Sequence, residues 1–245
     1  MRSASRALWC AVLLLPAAVL AQGVEQPLQR FHFSDPAYLQ QPQQLQLSAG
    51  LRWRGDEGDG NFTVPLQLQF GASERFEFTG DVELAFPRPL TGSLRAVQRA
   101  EAAVTMGLID DASRGVVVSA GAGLVGSRDR LDNSMDPGGV PRVSALVKRG
   151  PMLANVELSV DLVSRNDELD ATPRAALGFA LDFGRLQPVF EAMYENDDAP
   201  AGTFALGLRF QALESLELGV AAPVEVRDDE TFVGVTGQLV WNLGG

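Results

Sequence analysis

The chain of 245 residues contains few of the side chains that carry enzyme chemistry or cross-link exported domains. It has one cysteine, Cys10, and one histidine, His32. One cysteine cannot form an internal disulfide, so an exported form would depend on strand pairing or a packed core for its stability. One isolated imidazole offers neither a nucleophile–base pair nor a zinc-ligand spacing, so we expect no enzyme, no cofactor and no metal. We expect His32 at the surface.

Basic side chains are also in the minority, because 20 Lys and Arg stand against 31 Asp and Glu, for a net charge of −11. Phosphate backbones bind basic patches, so nucleic acid is not an expected partner. Clusters of acidic residues such as Asp56-Glu57 and Asp197-Asp198 fall between apolar segments. None has the full spacing of a calcium loop, so we interpret them as solvated loops.

Long hydrophobic runs are absent after residue 21, and that excludes a membrane-spanning helix there. Residues 1–21 combine Arg2 and Arg6 with a short apolar run and end in Val19-Leu20-Ala21, which predicts a cleaved signal peptide. Residues 22–43 are rich in Gln and Pro, and we interpret them as an extended leader outside the folded domain. The folded domain is expected over 44–245.

From Gln44 onward apolar residues recur at every second position, which is the period of a β-strand. Each apolar face is free of charge, and polar side chains occupy the alternate positions. The clearest such faces are Leu45–Trp53, Phe62–Phe70, Phe76–Phe86, Val116–Leu124, Ala154–Leu162, Ala175–Phe183, Phe204–Phe210, Leu216–Val224 and Val233–Leu243.

These alternations last about nine to eleven residues, the length that a tilted strand needs to cross a bilayer. Short connectors such as 71–75, 150–151 and 184–185 alternate with longer ones such as 54–61 and 126–141, so the two ends of the sheet should differ. Without a spanning helix, a membrane protein of this kind must be a closed barrel. We predict an all-β, antiparallel transmembrane barrel of about twelve strands, within a range of roughly ten to fourteen.

Three segments carry a weaker signal. Residues 142–149 and 186–195 are expected to be strands of lower regularity. Residues 93–108 place Ala100, Ala102 and Val104 on one face of a strand, but their Ala, Arg, Gln and Glu content would also suit a helix.

Charged residues alternate with the apolar faces and would therefore point into the barrel. Rings of carboxylates favour cations in a pore, whereas the same side chains could fill a narrow barrel as a salt-bridged plug. Both interpretations stay open from the sequence. The candidate lumen-facing residues are Glu77, Asp81, Glu83, Arg99, Glu101, Glu157, Asp161, Arg174, Asp182, Glu191, Arg209 and Glu217.

One hairpin resembles a known family. The stretch from Leu66 to Phe78, with Gln69-Phe70-Gly71 before its turn, is similar to hairpins of the phenol-degradation-pathway type of small outer-membrane channel. The likeness extends loosely over 44–245 and implies an architecture but no particular solute. One departure is that such barrels usually end on an aromatic residue, whereas this chain ends Trp241-Asn242-Leu243-Gly244-Gly245.

The favoured hypothesis is a barrel in the bacterial outer membrane that passes small solutes through a polar, acidic lumen. Its expected partners are the lipid bilayer, lipopolysaccharide and the outer-membrane insertion machinery. One alternative is a closed structural or adhesive barrel that acts through its acidic extracellular loops. Another is a soluble exported β-sandwich or lipid-binding barrel.

Overall fold

The chain folds into one closed antiparallel β-barrel of twelve strands, in which each strand pairs with its neighbours in sequence and β1 pairs with β12. The computed structural model describes residues 31–56, 59–86, 97–128, 135–165, 168–196, 200–228 and 230–243. The predicted signal peptide, the leader up to residue 30 and acidic stretches such as 129–134 and 197–199 lie outside the described residues.

The strands contain 11 to 15 residues each, somewhat more than the alternating patterns predict. They are β1 Leu45–Asp56, β2 Asp59–Ser73, β3 Phe76–Phe86, β4 Val97–Asp111, β5 Val116–Arg128, β6 Met135–Arg149, β7 Met152–Arg165, β8 Glu168–Leu181, β9 Leu186–Asn196, β10 Pro200–Leu213, β11 Leu216–Arg227 and β12 Glu230–Leu243.

The two faces of the wall differ as the period-two pattern predicts. Leu66, Phe179 and Leu206 lie on the outer face and are exposed, whereas inner-face residues such as Gln67 and Gln46 are buried. An outer surface of exposed leucine, valine and phenylalanine around a polar interior is the reverse of a soluble domain. It is the distribution of a barrel whose outer surface is covered by hydrocarbon. Among the described residues, no helix has the length and apolar character to cross a membrane.

Tight turns join the strands at the end of the barrel where β1 begins, which we call the turn end. Gly150 and Gly184 have positive φ angles of 55° and 77° in the turns after β6 and β8. Only glycine adopts this backbone without strain, so these residues mark the turns that the sequence predicts there. At the other end, the loop end, strand pairing continues into expected connectors: Asp56 pairs with Asp59, and β6 begins at Met135.

Residues 97–108 of the ambiguous segment form a strand, and residues 93–96 lie outside the described residues. β4 pairs with β3 on one side and with β5 on the other, with Val104 opposite Phe78 and Ala122. Two flanking strands satisfy its backbone N–H and C=O groups, and this tertiary pairing outweighs the helix propensity of its alanines.

Residues 31–43, which we call the N-terminal segment, enter the lumen from the turn end: residues 31–40 lie inside the barrel, and residues 41–43 form an exposed bend. The expectation that the leader stays outside the folded domain is therefore wrong for residues 31–40. So is the surface position expected for His32, which is only 2% exposed. Residues Gln41 to Gln44 form the bend that leads from the segment into β1: the N–H of Gln44 donates to the carbonyl of Gln41 at 2.9 Å. Pro42 precedes Gln43, whose φ is 65°, as in a type II turn.

Candidate functional site: the barrel lumen and its N-terminal segment

Glu191 on β9 holds the far end of the N-terminal segment. Its two carboxylate oxygens accept the backbone N–H groups of His32 at 2.7 Å and Phe33 at 2.8 Å. Arg52 on β1 donates to the carbonyl of His32 at 2.8 Å from the opposite direction, and its guanidinium lies 5.2 Å from the centre of the Phe33 ring. Such a carboxylate with two N–H donors makes charge-assisted hydrogen bonds, which are stronger than neutral ones.

The middle of the segment is held by β7 and β2. Glu157 accepts the N–H of Asp35 at 3.0 Å, and Asn155 accepts the N–H of Ala37 at 3.1 Å. The amide of Asn155 also donates to the carbonyl of Asp35, and Gln67 donates to its carboxylate, both at 3.1 Å. The segment therefore reaches across the lumen and contacts opposite walls.

The near end of the segment lies against β2 and β3. Glu77 accepts the N–H of Gln40 at 2.7 Å, and Gln43 donates to the carbonyl of Gly71 at 2.7 Å. A β-carbon at Gly71 would lie 2.1 Å from the carbonyl oxygen of Gln41. Gly71 is thus required where the segment's backbone passes the wall. The sequence suggested a turn there, but β2 continues to Ser73.

Apolar side chains of the segment form a small core inside the barrel near the turn end. Phe31, Ala37 and Tyr38 are buried together with inner-face residues of five strands, and Phe31 has no exposed surface. The wall residues of this cluster are Val117, Leu146, Leu153, Ala180 and Val189. Removing such side chains from water contributes to holding the segment in place, beyond its hydrogen bonds.

The wall carries glycines where the segment's side chains come closest. A β-carbon at Gly178 would lie 2.6 Å from the Phe31 ring, and one at Gly219 would lie 2.9 Å from the His32 ring. Gly107 faces Leu39 in the same way at 3.1 Å. Real β-carbon contacts are longer than 3.0 Å, so an alanine at Gly178 or Gly219 would push the ring away. The wall is thus shaped to the segment.

Towards the loop end, the inner wall carries a network of three arginines and three carboxylates. Arg99 pairs with Glu101 at 2.8 Å and also with Asp161. Arg174 links Asp161 at 3.2 Å to Glu195 at 3.0 Å. Arg142 completes the network through Glu101. Opposite charges are equal in number here, so the network fills the wall without a large net charge.

The remaining candidates from the sequence lie in different places. Arg209 and Glu217 form a pair at 2.8 Å between β10 and β11, with the arginine fully buried. Glu83 lies 3.9 Å from Arg52, and Asp81 is half-buried beside Glu101 in the pairing of β3 with β4. Asp182 lies beyond the end of β8, where its carboxylate caps the N–H of Gly184 in the turn.

Contributors to the site that were not among the sequence candidates include Arg142, Asn155 and the N-terminal segment itself. Arg142 and Asn155 alternate with the outer-face residues Val143 and Ala154, so the period-two rule could have included them. The N-terminal segment has no such periodicity, so the sequence pattern could not predict that it lies inside the lumen.

Two small cavities lie beside the segment. One cavity beside Asp35, Tyr38 and Arg142 measures about 20 Å³, and a second beside His32 and Arg52 about 10 Å³. A cavity of roughly 10–15 Å³ holds one water molecule, so these are spaces for single waters. Within the described part of the chain, no three His, Cys, Asp or Glu side chains are grouped to hold a metal ion.

Compared with protein families and with characterised proteins, the sequence matches none. Solved structures with the same fold are outer-membrane channels. The COG4313 outer-membrane channel from Pseudomonas putida F1 superposes with a TM-score of 0.62 at 10% identity, over 84% of this chain and 97% of that one. The NanC porin gives 0.60 at 10% identity, over 80% and 100%, and the KdgM porin 0.51 at 11%, over 78% and 97%. The chain therefore has the fold of a porin-type outer-membrane barrel.

Proposed function

We propose that this protein is an outer-membrane channel for small solutes whose lumen is closed by its own N-terminal segment. The observation that carries the proposal is the position of residues 31–40, which cross the lumen between β9 and β3 and lie beside cavities the size of single waters. The apolar outer face and the porin-type fold support a location in the outer membrane, reached through the predicted signal peptide. The lone histidine offers no triad, so the proposal involves no covalent chemistry.

Passage requires the segment to leave, and its contacts are of a kind that can be exchanged. Five of its N–H groups are bound by side chains of the wall, and only the bend at Gln43 donates to a strand backbone, at Gly71. Residues 31–40 can therefore detach without breaking the pairing of any two strands. Strands β1 to β12 close the barrel by themselves. The closed state described here would then be one of two states of an otherwise constant wall.

Current through single barrels in a planar bilayer tests the proposal. The intact chain should be closed most of the time, and deletion of residues 31–43 should give a steady, larger current. A Gly80→Ala variant is a suitable control, because a β-carbon at Gly80 meets nothing within 4 Å. A deletion variant that inserts correctly and stays silent would refute the channel.

A second function is favoured by a different observation. The apolar cluster and the glycines that accommodate Phe31 and His32 show a close fit between segment and wall. A permanent fit would make the protein a closed structural barrel, with its loop end as the working surface. The same deletion experiment separates the two, since a structural barrel gains no selective, steady current.

A further inference from the structure

The wall binds the N-terminal segment largely through its main chain. Five backbone N–H groups of the segment donate to side chains of the wall, namely those of His32, Phe33, Asp35, Ala37 and Gln40. Two backbone carbonyls, those of His32 and Asp35, accept from Arg52 and Asn155. The segment bends at residues 32–34 and at Ala37. The main chain is the same in every peptide apart from proline, so these wall groups are suited to any peptide of similar length that follows the same path.

The wall also has a pocket for an aromatic ring. The Phe31 ring lies where Gly178 has no side chain, and it is buried with Leu153, Ala180 and Val189. Proteins that bind peptides commonly combine hydrogen bonds to the main chain, which supply affinity, with a pocket for one side chain, which supplies preference.

We infer that the lumen is a binding site for the main chain of a peptide, and that short peptides with an aromatic residue near the amino end are the solutes that replace residues 31–40. The inference rests on the proposed channel function, because the site is free only when the segment has moved. The peptide would meet Glu191, Glu157 and Glu77 in turn along its backbone.

A free peptide must compete for the site with the N-terminal segment, which is tethered to the barrel, and this competition sets the peptide concentration needed for binding. A segment joined to β1 through a short connection has an effective concentration on the order of millimolar. A free peptide of equal affinity therefore needs about that concentration to displace it. Weakening the segment's own anchors lowers the requirement.

The experiment uses the full-length chain with Phe31→Ala and Tyr38→Ala, which removes the apolar anchors and keeps the barrel residues. Phe31→Ala alone is the second variant, in case the double variant inserts poorly. A synthetic peptide with the sequence of residues 31–43 is added while the current through single barrels is recorded. It should block the current in a concentration-dependent manner.

Three comparisons identify the groups responsible. The same peptide, N-methylated at the amides matching His32, Phe33 and Gln40, should block at least tenfold more weakly, because the donors are gone. Glu191→Gln in the barrel should weaken the block by the unmodified peptide, since its hydrogen bonds lose their charge. Glu225→Gln is the matched control, because Glu225 pairs with Arg54 and Arg227 and should leave the block unchanged.

The outcomes separate the inference from the function on which it rests. If the loosened variants insert but carry no current, the channel itself is refuted. If they carry current and the N-methylated peptide blocks as well as the unmodified one, or neither blocks, only the peptide site is refuted. Spermine, which has amines but no peptide groups, should block more weakly than the peptide. A stronger block by spermine would show a cation site and overturn the inference.

Discussion

Replacing Phe31 by alanine is the change that should open this barrel most cleanly. The ring has no exposed surface and belongs to the cluster that joins the segment to five strands. Cutting a buried phenylalanine to alanine costs about 3–5 kcal/mol in protein cores. All of the wall's hydrogen bonds to the segment are retained, so the change weakens the closed state without altering the strands.

This free energy converts directly into occupancy. At about 1.4 kcal/mol for each factor of ten, the ratio of closed to open barrels should fall roughly a hundred- to a few-thousand-fold. A barrel that is open about 0.01% of the time would then be open for roughly 1% of the time or more. Single-barrel recordings in planar bilayers measure this fraction directly.

Phe33→Ala is the matched control, because it makes the same chemical change two residues along the segment. Phe33 is only half-buried, and its defined interaction is the contact with Arg52, which is worth about 0.5–1 kcal/mol at such a site. The open fraction should rise by no more than roughly tenfold. Equal effects of the two substitutions, or no effect of Phe31→Ala, would refute the role assigned to the apolar anchor.

Gly178→Ala perturbs the same contact from the wall. The new β-carbon would lie 2.6 Å from the Phe31 ring, so the ring must move. We expect a higher open fraction than for Gly80→Ala, whose β-carbon meets nothing. Combining Gly178→Ala with Phe31→Ala should add little to the second change alone, because both act on one contact. Fully additive effects would show that Gly178→Ala does not act through its contact with Phe31.

Two further predictions concern the wall. Arg209→Met should destabilise the barrel against urea by about 3–5 kcal/mol, because it leaves the charge of Glu217 buried beside an apolar side chain. Arg114→Ala removes a pair with Asp111 on an exposed turn and should leave the urea midpoint nearly unchanged. Similar losses of stability would contradict the burial of the Arg209–Glu217 pair. Leu206→Arg, which places a charge outward at the middle of β10, should lower the free energy of unfolding from lipid by about 2–4 kcal/mol, and Leu213→Arg at the end of the strand by about 0–1 kcal/mol. Unfolding from bilayers measures both values. Equal losses would contradict an outer wall that faces the membrane.

The outer wall could be predicted from the sequence because its signal is local. Leu66 and Phe179 point outward since each lies in a run with period two, and this period needs no knowledge of the partner strand. β4 could not be assigned in the same way. Its residues favour a helix locally, and only the pairing of Val104 with both neighbouring strands decides for a strand.

The contents of the lumen could not be predicted because they depend on distant contacts. His32 and Glu191 are 159 positions apart, and no local pattern relates them. The segment has no apolar period and is rich in glutamine and proline, so its composition indicated an exposed leader. The segment is held by hydrogen bonds from its backbone N–H groups, and amino-acid composition gives no information about these. The glycines at 71 and 178 were signals of a close approach that sequence reasoning assigned to a turn or to a strand alone.

The protection of Ala37 tests the central claim most directly. Ala37 has no exposed surface and lies within the apolar cluster, whereas Ala112 is exposed in the turn after β4. Cys10, the one native cysteine, belongs to the predicted signal peptide. Ala37→Cys in the inserted, full-length protein should react with a membrane-impermeant maleimide at least a hundredfold more slowly than Ala112→Cys. Burial that stabilises the closed state by about 3 kcal/mol keeps the segment in the lumen roughly a hundred times more often than out of it, and the cysteine reacts only when the segment is out. Equal labelling rates would show that the segment does not occupy the lumen.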